Sequence, residues 1–271
     1  MSEKTVLITG CSSGFGLGAA QAFLARGWQV IAGLRDPGRA PAGLAGVTIV
    51  PLDLEDDAQI HAAAAQLTRL DCLVNNAGYA LAGPFSSYAC AQMQRQLQVA
   101  LLGPALLTQA LLVPLTRARG RIINVSSLAG ETGMPMNALY CAAKHAVEGW
   151  SEALRHELEP HGIQVALIEP GGFRTRFGEN MEWGKRALPP DSVEANQLAA
   201  FRALHARILA RPGRAPAPVV AAIVRLAEMR AMPLRTRIGG DARMMRQVKR
   251  WLAEGVGVSL MAAAFRRRLA E

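Results

Sequence analysis

Short apolar runs alternate with helical patterns along the first two thirds of the chain. Val6-Leu-Ile-Thr-Gly10, Val30–Leu34, Val47–Val50, Cys72–Val74, Ile122–Val125 and Val165–Ile168 have strand length. Between them, residues 15–26, 57–69, 88–117 and 138–160 carry apolar side chains at helical spacing. Strands separated in this way predict an α/β fold, a doubly wound parallel sheet with helices on both faces. Such sheets bind ligands at the carboxyl ends of the strands, near the switch in strand order. The final third is less regular. Residues 176–216 combine Phe177, Met181, Trp183, Leu188, Phe201, Leu204 and Ile208 with Pro/Gly-rich breaks, which suits a mobile apolar cover. Ala217–Met229 reads as a helix and Arg235–Ile238 as a further edge strand, so 217–271 is expected to hold C-terminal helices and that strand. No internal repeat or low-complexity linker divides residues 1–271, and a chain of 271 residues suits one domain.

Charge and cysteine usage narrow the class. The net charge is +9, but only four of the thirty basic residues are lysine and the arginines are dispersed, so genome composition accounts for the charge better than a nucleic-acid surface does. Arg266-Arg-Arg268 follows Trp251–Phe265 and forms either a solvated terminal face or an amphipathic end. Cys11, Cys72, Cys90 and Cys141 show no Cys-x-x-Cys spacing, so neither a metal site nor a disulfide framework is expected, and a cytoplasmic setting is the simpler one. Met-Ser-Glu-Lys-Thr before Val6 has no charged n-region followed by an apolar h-region, so no secretory signal is expected. Leu97–Leu115 approaches membrane-spanning length but contains Gln98, Gly103, Pro104, Thr108, Gln109 and Pro114; a buried helix is expected there, and no transmembrane span.

Two motifs carry chemistry. Tyr140 and Lys144 stand four residues apart in a helical segment, and Ser127 lies thirteen residues before the tyrosine. Residues four apart share a helix face, so phenol and ammonium can enter one pocket. A phenol titrates near pH ~10 and exchanges protons poorly at neutral pH unless a positive charge stabilises its anion, which Lys144 can do. The pair alone also fits an ordinary half-buried helix. His145 and His156 lie on the same helix but off that face. The second motif is a strand leading through Gly10-Cys-Ser-Ser-Gly14-Phe-Gly16 into a helix, an arrangement that holds a pyrophosphate. Gly10 allows the tight turn, Gly14 close approach of backbone to phosphate, and Gly16 close helix packing. Its spacing differs from the usual Gly-x-Gly-x-x-Gly fingerprint.

Thr9-Gly-Cys-Ser-Ser-Gly-Phe-Gly16, Asn75-Asn-Ala-Gly78, Ser127, Tyr140-x-x-x-Lys144 and Pro170-Gly171 occur in the order and spacing of the short-chain dehydrogenase/reductases. The resemblance spans roughly residues 4 to 178. Leu34-Arg-Asp36 and the run Tyr140–Gly149 look most like the branch of 17β-hydroxysteroid and retinol dehydrogenases and their bacterial relatives. It implies a single-domain Rossmann fold, a homodimer or homotetramer, and catalytic Ser127, Tyr140 and Lys144. The cofactor residues implied are Gly10, Ser12, Ser13, Gly14, Phe15, Gly16, Arg35, Asp53, Leu54, Asn76, Ala77, Gly78, Tyr140, Lys144, Pro170, Gly171, Phe173 and Thr175. NAD-preferring relatives carry an acid where this chain has Leu34, whereas Arg35 offers a fork of donors suited to a 2′-phosphate, so NADP(H) is the cofactor expected. The alternative is that Arg35 pairs with Asp36 or Asp53.

The implied activity is hydride transfer between NADPH and a hydrophobic ketone or aldehyde, or the reverse from a secondary alcohol, with Tyr140 as general acid/base, Ser127 on the carbonyl oxygen and no metal. Met134, Tyr79, Leu81 and Phe173 would favour a bulky apolar substrate, steroid-like or retinoid-like by resemblance. One departure stands out: the family's asparagine in the long helix is Ala100 here. Its carbonyl holds a proton-relaying water in the family. Pro104 lacks an N–H and leaves the carbonyl four residues earlier without its helical partner, so either the distortion survives without the asparagine or Pro104 only marks a bend. The alternative function is an NADP(H)-binding regulator with weak or no catalysis.

Overall fold

The computed structural model describes residues 3–242 and, beyond them, Met244, Gln247, Ser259, Ala263, Phe265 and Arg267. The expectation of an amphipathic end at 251–268 therefore falls largely outside the described residues.

The strands are β1 (Thr5–Thr9), β2 (Gln29–Leu34), β3 (Thr48–Pro51), β4 (Cys72–Asn75), β5 (Leu81–Ala82), β6 (Arg121–Val125), β7 (Gln164–Pro170), β8 (Glu182–Trp183) and β9 (Arg235–Ile238). Seven of them form a sheet in the order β3-β2-β1-β4-β6-β7-β9, every pair parallel. The order reverses between β1 and β4, which opens a crevice at their carboxyl ends. The helices are α1 (Gly14–Leu24), α2 (Asp57–Ala65), α3 (Cys90–Leu97), α4 (Gly103–Ala110), α5 (Leu112–Ala118), α6 (Ala138–Leu158), α7 (Val193–Ala210) and α8 (Ala217–Glu228).

Two apolar layers explain why the strands read as continuous hydrophobic runs. Val6, Ile8, Val74, Ile123 and Ala166 face one layer with α1 and α8. Their neighbours Leu7, Leu73, Ile122 and Val165 face the other, with residues of α2, α4 and α5. Side chains alternate along a strand, so a sheet covered on both faces needs apolar residues at every position. The predicted edge strand at 235–238 is present and pairs with β7.

The expected helix at 88–117 is broken twice. Gln98–Leu102 form a π-helical turn in which Gly103 N–H reaches back to Gln98 O, and the chain bends by 59° between Ala110 and Leu112. Pro104 and Pro114 lack the N–H groups that a regular ladder requires. Among the described residues no single helix is long and apolar enough to cross a membrane. Leu107, Leu111 and Leu115 of this stretch are fully buried, while Leu102 and Val113 are exposed. In the expected cover, α7 is a regular helix that the scattered apolar pattern did not announce. Ser192 starts it, its Oγ accepting from Ala195 N at 3.1 Å.

Candidate active site

The glycine turn after β1 is built by close approach. Gly10 has φ +73°, and a Cβ there would lie 2.8 Å from Ala77 Cα. A Cβ on Gly16 would fall 2.4 Å from Gly10 O, so α1 can start so near the turn only without a side chain. Gly14, φ +58°, faces the Thr175 side chain. The second strand end is tied to the first: Thr9 Oγ1 accepts from Asn76 N and Ala77 N at 2.9 Å each, and Asn76 Nδ2 donates to Thr9 O at 2.8 Å. The Ser13 side chain makes no capping bond, so the first N–H groups of α1 keep their positive end open.

Ser127 follows β6, and Tyr140 and Lys144 lie in the first two turns of α6, both buried. Burial pushes the Tyr140 phenol up to about 12, with the Ser127 hydroxyl pulling it the other way. Burial lowers Lys144 to about 8, and Glu148, one turn further along α6, partly offsets this. Lys144 Nζ donates to Val125 O at 2.8 Å and lies 6.0 Å from the centre of the Tyr140 ring. Phe177 packs over the same ring, centroids 5.7 Å apart.

One cavity of about 550 Å³ joins these groups. Ser127, Tyr140 and Lys144 line it together with Gly10, Ser12, Ser13, Gly14, Phe15, Arg35, Asp53, Leu54, Asn76, Ala77, Gly78, Pro170, Gly171, Phe173 and Thr175. Gly16 does not line it and sits one layer below, beneath the Gly10 carbonyl. Arg35 is exposed and pairs with neither Asp36 nor Asp53 among the described residues: Asp36 is engaged by Gly38 N and Arg39, and Asp53 Oδ1 by Glu55 N. Tyr79 lines the cavity, whereas Leu81 is buried in β5 and Met134 packs with Ala80, Ala129 and Cys141. Ala100 is buried within the π turn, and a Cβ on Gly103 would meet Leu54 O at 2.5 Å, so the distorted helix abuts the wall that Leu54 lines.

Residues 4–185 match the family model described as short chain dehydrogenase. The chain belongs to that family of oxidoreductases. It is 42% identical over 197 residues to YbbO, an uncharacterized oxidoreductase of Escherichia coli strain K12, covering 70% of this chain and 73% of that one. It is 30% identical to 3-ketodihydrosphingosine reductase of Bacteroides thetaiotaomicron, covering 94% and 96%, and 34% identical to bovine retinol dehydrogenase 8, covering 87% and 81%. Among solved structures, a short-chain dehydrogenase from Streptomyces avermitilis superposes with a TM-score of 0.77 at 31% identity, over 93% of this chain and 96% of that one. Pseudomonas aeruginosa RhlG, solved as an NADP active-site complex, gives 0.71 at 26% identity, over 89% and 96%.

Several residues at this short-chain dehydrogenase site carried no sequence signal. Arg95 Nε donates to both carboxylate oxygens of Glu55, at 3.0 and 2.9 Å, and its Nη1 to Glu182 of β8 at 3.0 Å. Gln92 adds bonds to the Glu182 side chain and to Trp183 O. Behind α6, Arg235 and Arg237 of β9 reach Glu148, Glu152, Glu169 and Glu131. These contacts join positions some 40 to more than 100 residues apart, which no local pattern encodes.

Proposed function

We propose that this protein is an NADP(H)-dependent oxidoreductase that interconverts a hydrophobic ketone or aldehyde and its alcohol. What carries the reading is one cavity with the Ser127/Tyr140/Lys144 set at one wall and, at another, the glycine turn, the open N-terminus of α1 and an exposed Arg35 that pairs with neither neighbouring aspartate among the described residues. These groups fit a dinucleotide phosphate. A Cβ at Gly10 or Gly16 would collide with Ala77 or with the Gly10 carbonyl and break the tight turn that shapes the cradle, the N–H groups of α1 suit a pyrophosphate, and Arg35 with Ser12 and Ser13 offers donors to a 2′-phosphate. Asp53 and Leu54 would flank the adenine, Asn76, Ala77 and Gly78 the middle of the molecule, and Pro170, Gly171, Phe173 and Thr175 its nicotinamide end. When bound, such a dinucleotide would supply the hydride for the carbonyl carbon, or take it up in the reverse direction.

Tyr140 gives its phenolic proton to the carbonyl oxygen during reduction, and a phenol held up to about 12 by burial is in its donor form at neutral pH. Ser127 donates a hydrogen bond to the same oxygen as negative charge grows there. Lys144 compensates the phenolate left behind. Phe177 closes the site from the cover side and, with Phe173 and Tyr79, gives the cavity wall an apolar character suited to a bulky substrate. Two relatives, named as a retinol dehydrogenase and a 3-ketodihydrosphingosine reductase, are in keeping with that class.

The departure at Ala100 motivates the regulator reading, whereas the persistence of the helix distortion without the asparagine favours the enzyme. The test is NADPH oxidation over a panel of hydrophobic ketones and aldehydes. Turnover that Tyr140→Phe abolishes supports the enzyme; NADPH binding with no turnover on any of them supports the regulator. Arg35→Leu should weaken NADPH binding by about 10–100-fold and NADH binding little, as expected for loss of a charge-assisted phosphate contact. Equal losses for both would remove the NADP assignment.

A further inference from the structure

Asp241, from the C-terminal third, reaches into the loop that follows β7. Its Oδ2 accepts from Gly172 N at 2.7 Å and pairs with Arg214 Nη2 at 2.7 Å. A Cβ on Gly171 would fall 2.1 Å from Asp241 Oδ1, so the carboxylate occupies the space a side chain would take there. Burial works to raise the Asp241 carboxyl, but Gly172 N–H and the Arg214 guanidinium outweigh it and hold it below its usual range. Arg214 makes two further contacts with the loop. Its guanidinium lies over the Phe173 ring, 5.2 Å from the centre, and its carbonyl accepts from Arg174 N at 2.8 Å. Phe173 is in turn packed edge-on against Phe15 of the glycine turn, centroids 6.0 Å apart. The loop from Gly171 to Arg174 is thus held by an ion pair whose two members come from outside it, and it lines the cavity through Gly171 and Phe173.

We propose that Arg214 and Asp241 are positioning residues for the dinucleotide: they fix the Gly171–Thr175 loop in the shape that receives its nicotinamide end. The inference rests on the dinucleotide reading above. Neither side chain lines the cavity, so their effect passes through the loop. A loop already held pays less ordering entropy when a ligand arrives, which is the physical basis of the gain in affinity. Because Arg214 closes the 176–216 segment that Thr175 opens, the same ion pair also joins the two roots of the cover.

The experiment compares wild type, Asp241→Ala and Arg214→Gln by two equilibrium titrations, one with NADPH followed by its fluorescence and one with adenosine 2′,5′-bisphosphate by calorimetry. The bisphosphate has no nicotinamide end and does not need the loop. Each variant should bind NADPH about tenfold or more weakly, the loss expected when a charged hydrogen bond is removed, and bind the bisphosphate as wild type does. In steady state, KM for NADPH should rise more than kcat falls. Unchanged NADPH affinity, or equal loss for both ligands, overturns the proposal. Should Asp241→Ala fail to fold, Arg214→Gln, whose side chain is half exposed, decides alone. Wild type that binds neither ligand would instead sink the dinucleotide reading itself.

Discussion

Two long helices are held in opposite ways: α6 gives Tyr140 and Lys144 to the cavity, whereas α7 lies in the cover and lines none of it. α6, with 21 residues, buries Tyr140, Cys141, Ala143, Lys144, Val147, Glu148, Ser151 and Leu158. α7, with 18 residues, buries none. α6 is gripped from several sides: Lys144 bonds to β6, Ser151 Oγ accepts from Asn124 at 2.8 Å, and Arg235 of β9 binds Glu148 and Glu152. Among the described residues, α7 leans on other cover residues and on Phe265, whose ring lies 5.9 Å from that of Phe201. Phe201 and His205 pack against Trp183, Arg202 lies over the same indole, and His205 Nε2 meets Gly178 O at 3.0 Å. Reacting groups need geometry fixed to a fraction of an ångström, whereas a wall that admits and releases a substrate has to open. Under the proposed function, this difference in burial is in keeping with chemistry on α6 and a looser, substrate-side part for the cover to which α7 belongs.

Four measurements break or sharpen this contrast, from the largest effect down. Tyr140→Phe should lower kcat by about 10²–10⁴-fold with NADPH affinity kept, as expected when a general acid is lost; a mild effect would deny α6 its role. The pH profiles should run in opposite senses. Burial keeps the phenol protonated at neutral pH, so reduction, which needs the acid, should be level there and fall on the alkaline side. Alcohol oxidation needs the phenolate and should climb with pH by up to about tenfold per unit, levelling above about 8 where Lys144 loses its charge. Parallel profiles in the two directions would contradict Tyr140 as the proton carrier.

Third, thermal or urea unfolding should separate the helices. Val147→Ala on α6 should cost about 2 kcal/mol and Ile208→Ala on α7 less than about 0.5 kcal/mol, because only the first leaves a buried void. Similar costs would mean that α7 is held as firmly as α6. Smallest in catalytic terms, Trp183→Ala should raise KM for bulky ketones about tenfold or less while leaving kcat on a small ketone unchanged, since it loosens what α7 rests on. A matching fall in kcat on the small ketone would place the cover in the chemistry.

Stability offers a check on the layer behind α6. Burial, then Glu148 and Glu131, raise the Glu169 carboxyl to about 8. The folded state therefore holds a proton that the unfolded state releases near its ordinary value. Its contribution is fully present below about pH 4.5 and is lost as pH rises through about 8, so stability should decline across that window. Glu169→Gln should flatten this dependence, read as the melting temperature against pH.

Legibility differed between the same regions. Strand positions, the glycine turn and Tyr140/Lys144 could be read because each depends on residues adjacent in sequence: alternation puts apolar groups on both faces, and a spacing of four puts two side chains on one helix face. The π turn at 98–102 was half visible, since Pro104 announces a lost hydrogen bond but not how the helix re-forms around it. α7 was not visible, because a helix packed on a few aromatic residues needs no continuous apolar stripe.

The sequence by itself determined the family, the parallel sheet and the residue types brought to the cavity, because those depend on local spacing and on the two-faced burial of strands. Only the tertiary structure decided that Arg35 pairs with neither Asp36 nor Asp53 among the described residues, that Arg95 joins Glu55 to Glu182, and that Asp241 and Arg214 grip the loop after β7. Such pairings join charged groups from distant parts of the chain, and their partners are chosen by the packing of whole elements rather than by any pattern along the backbone.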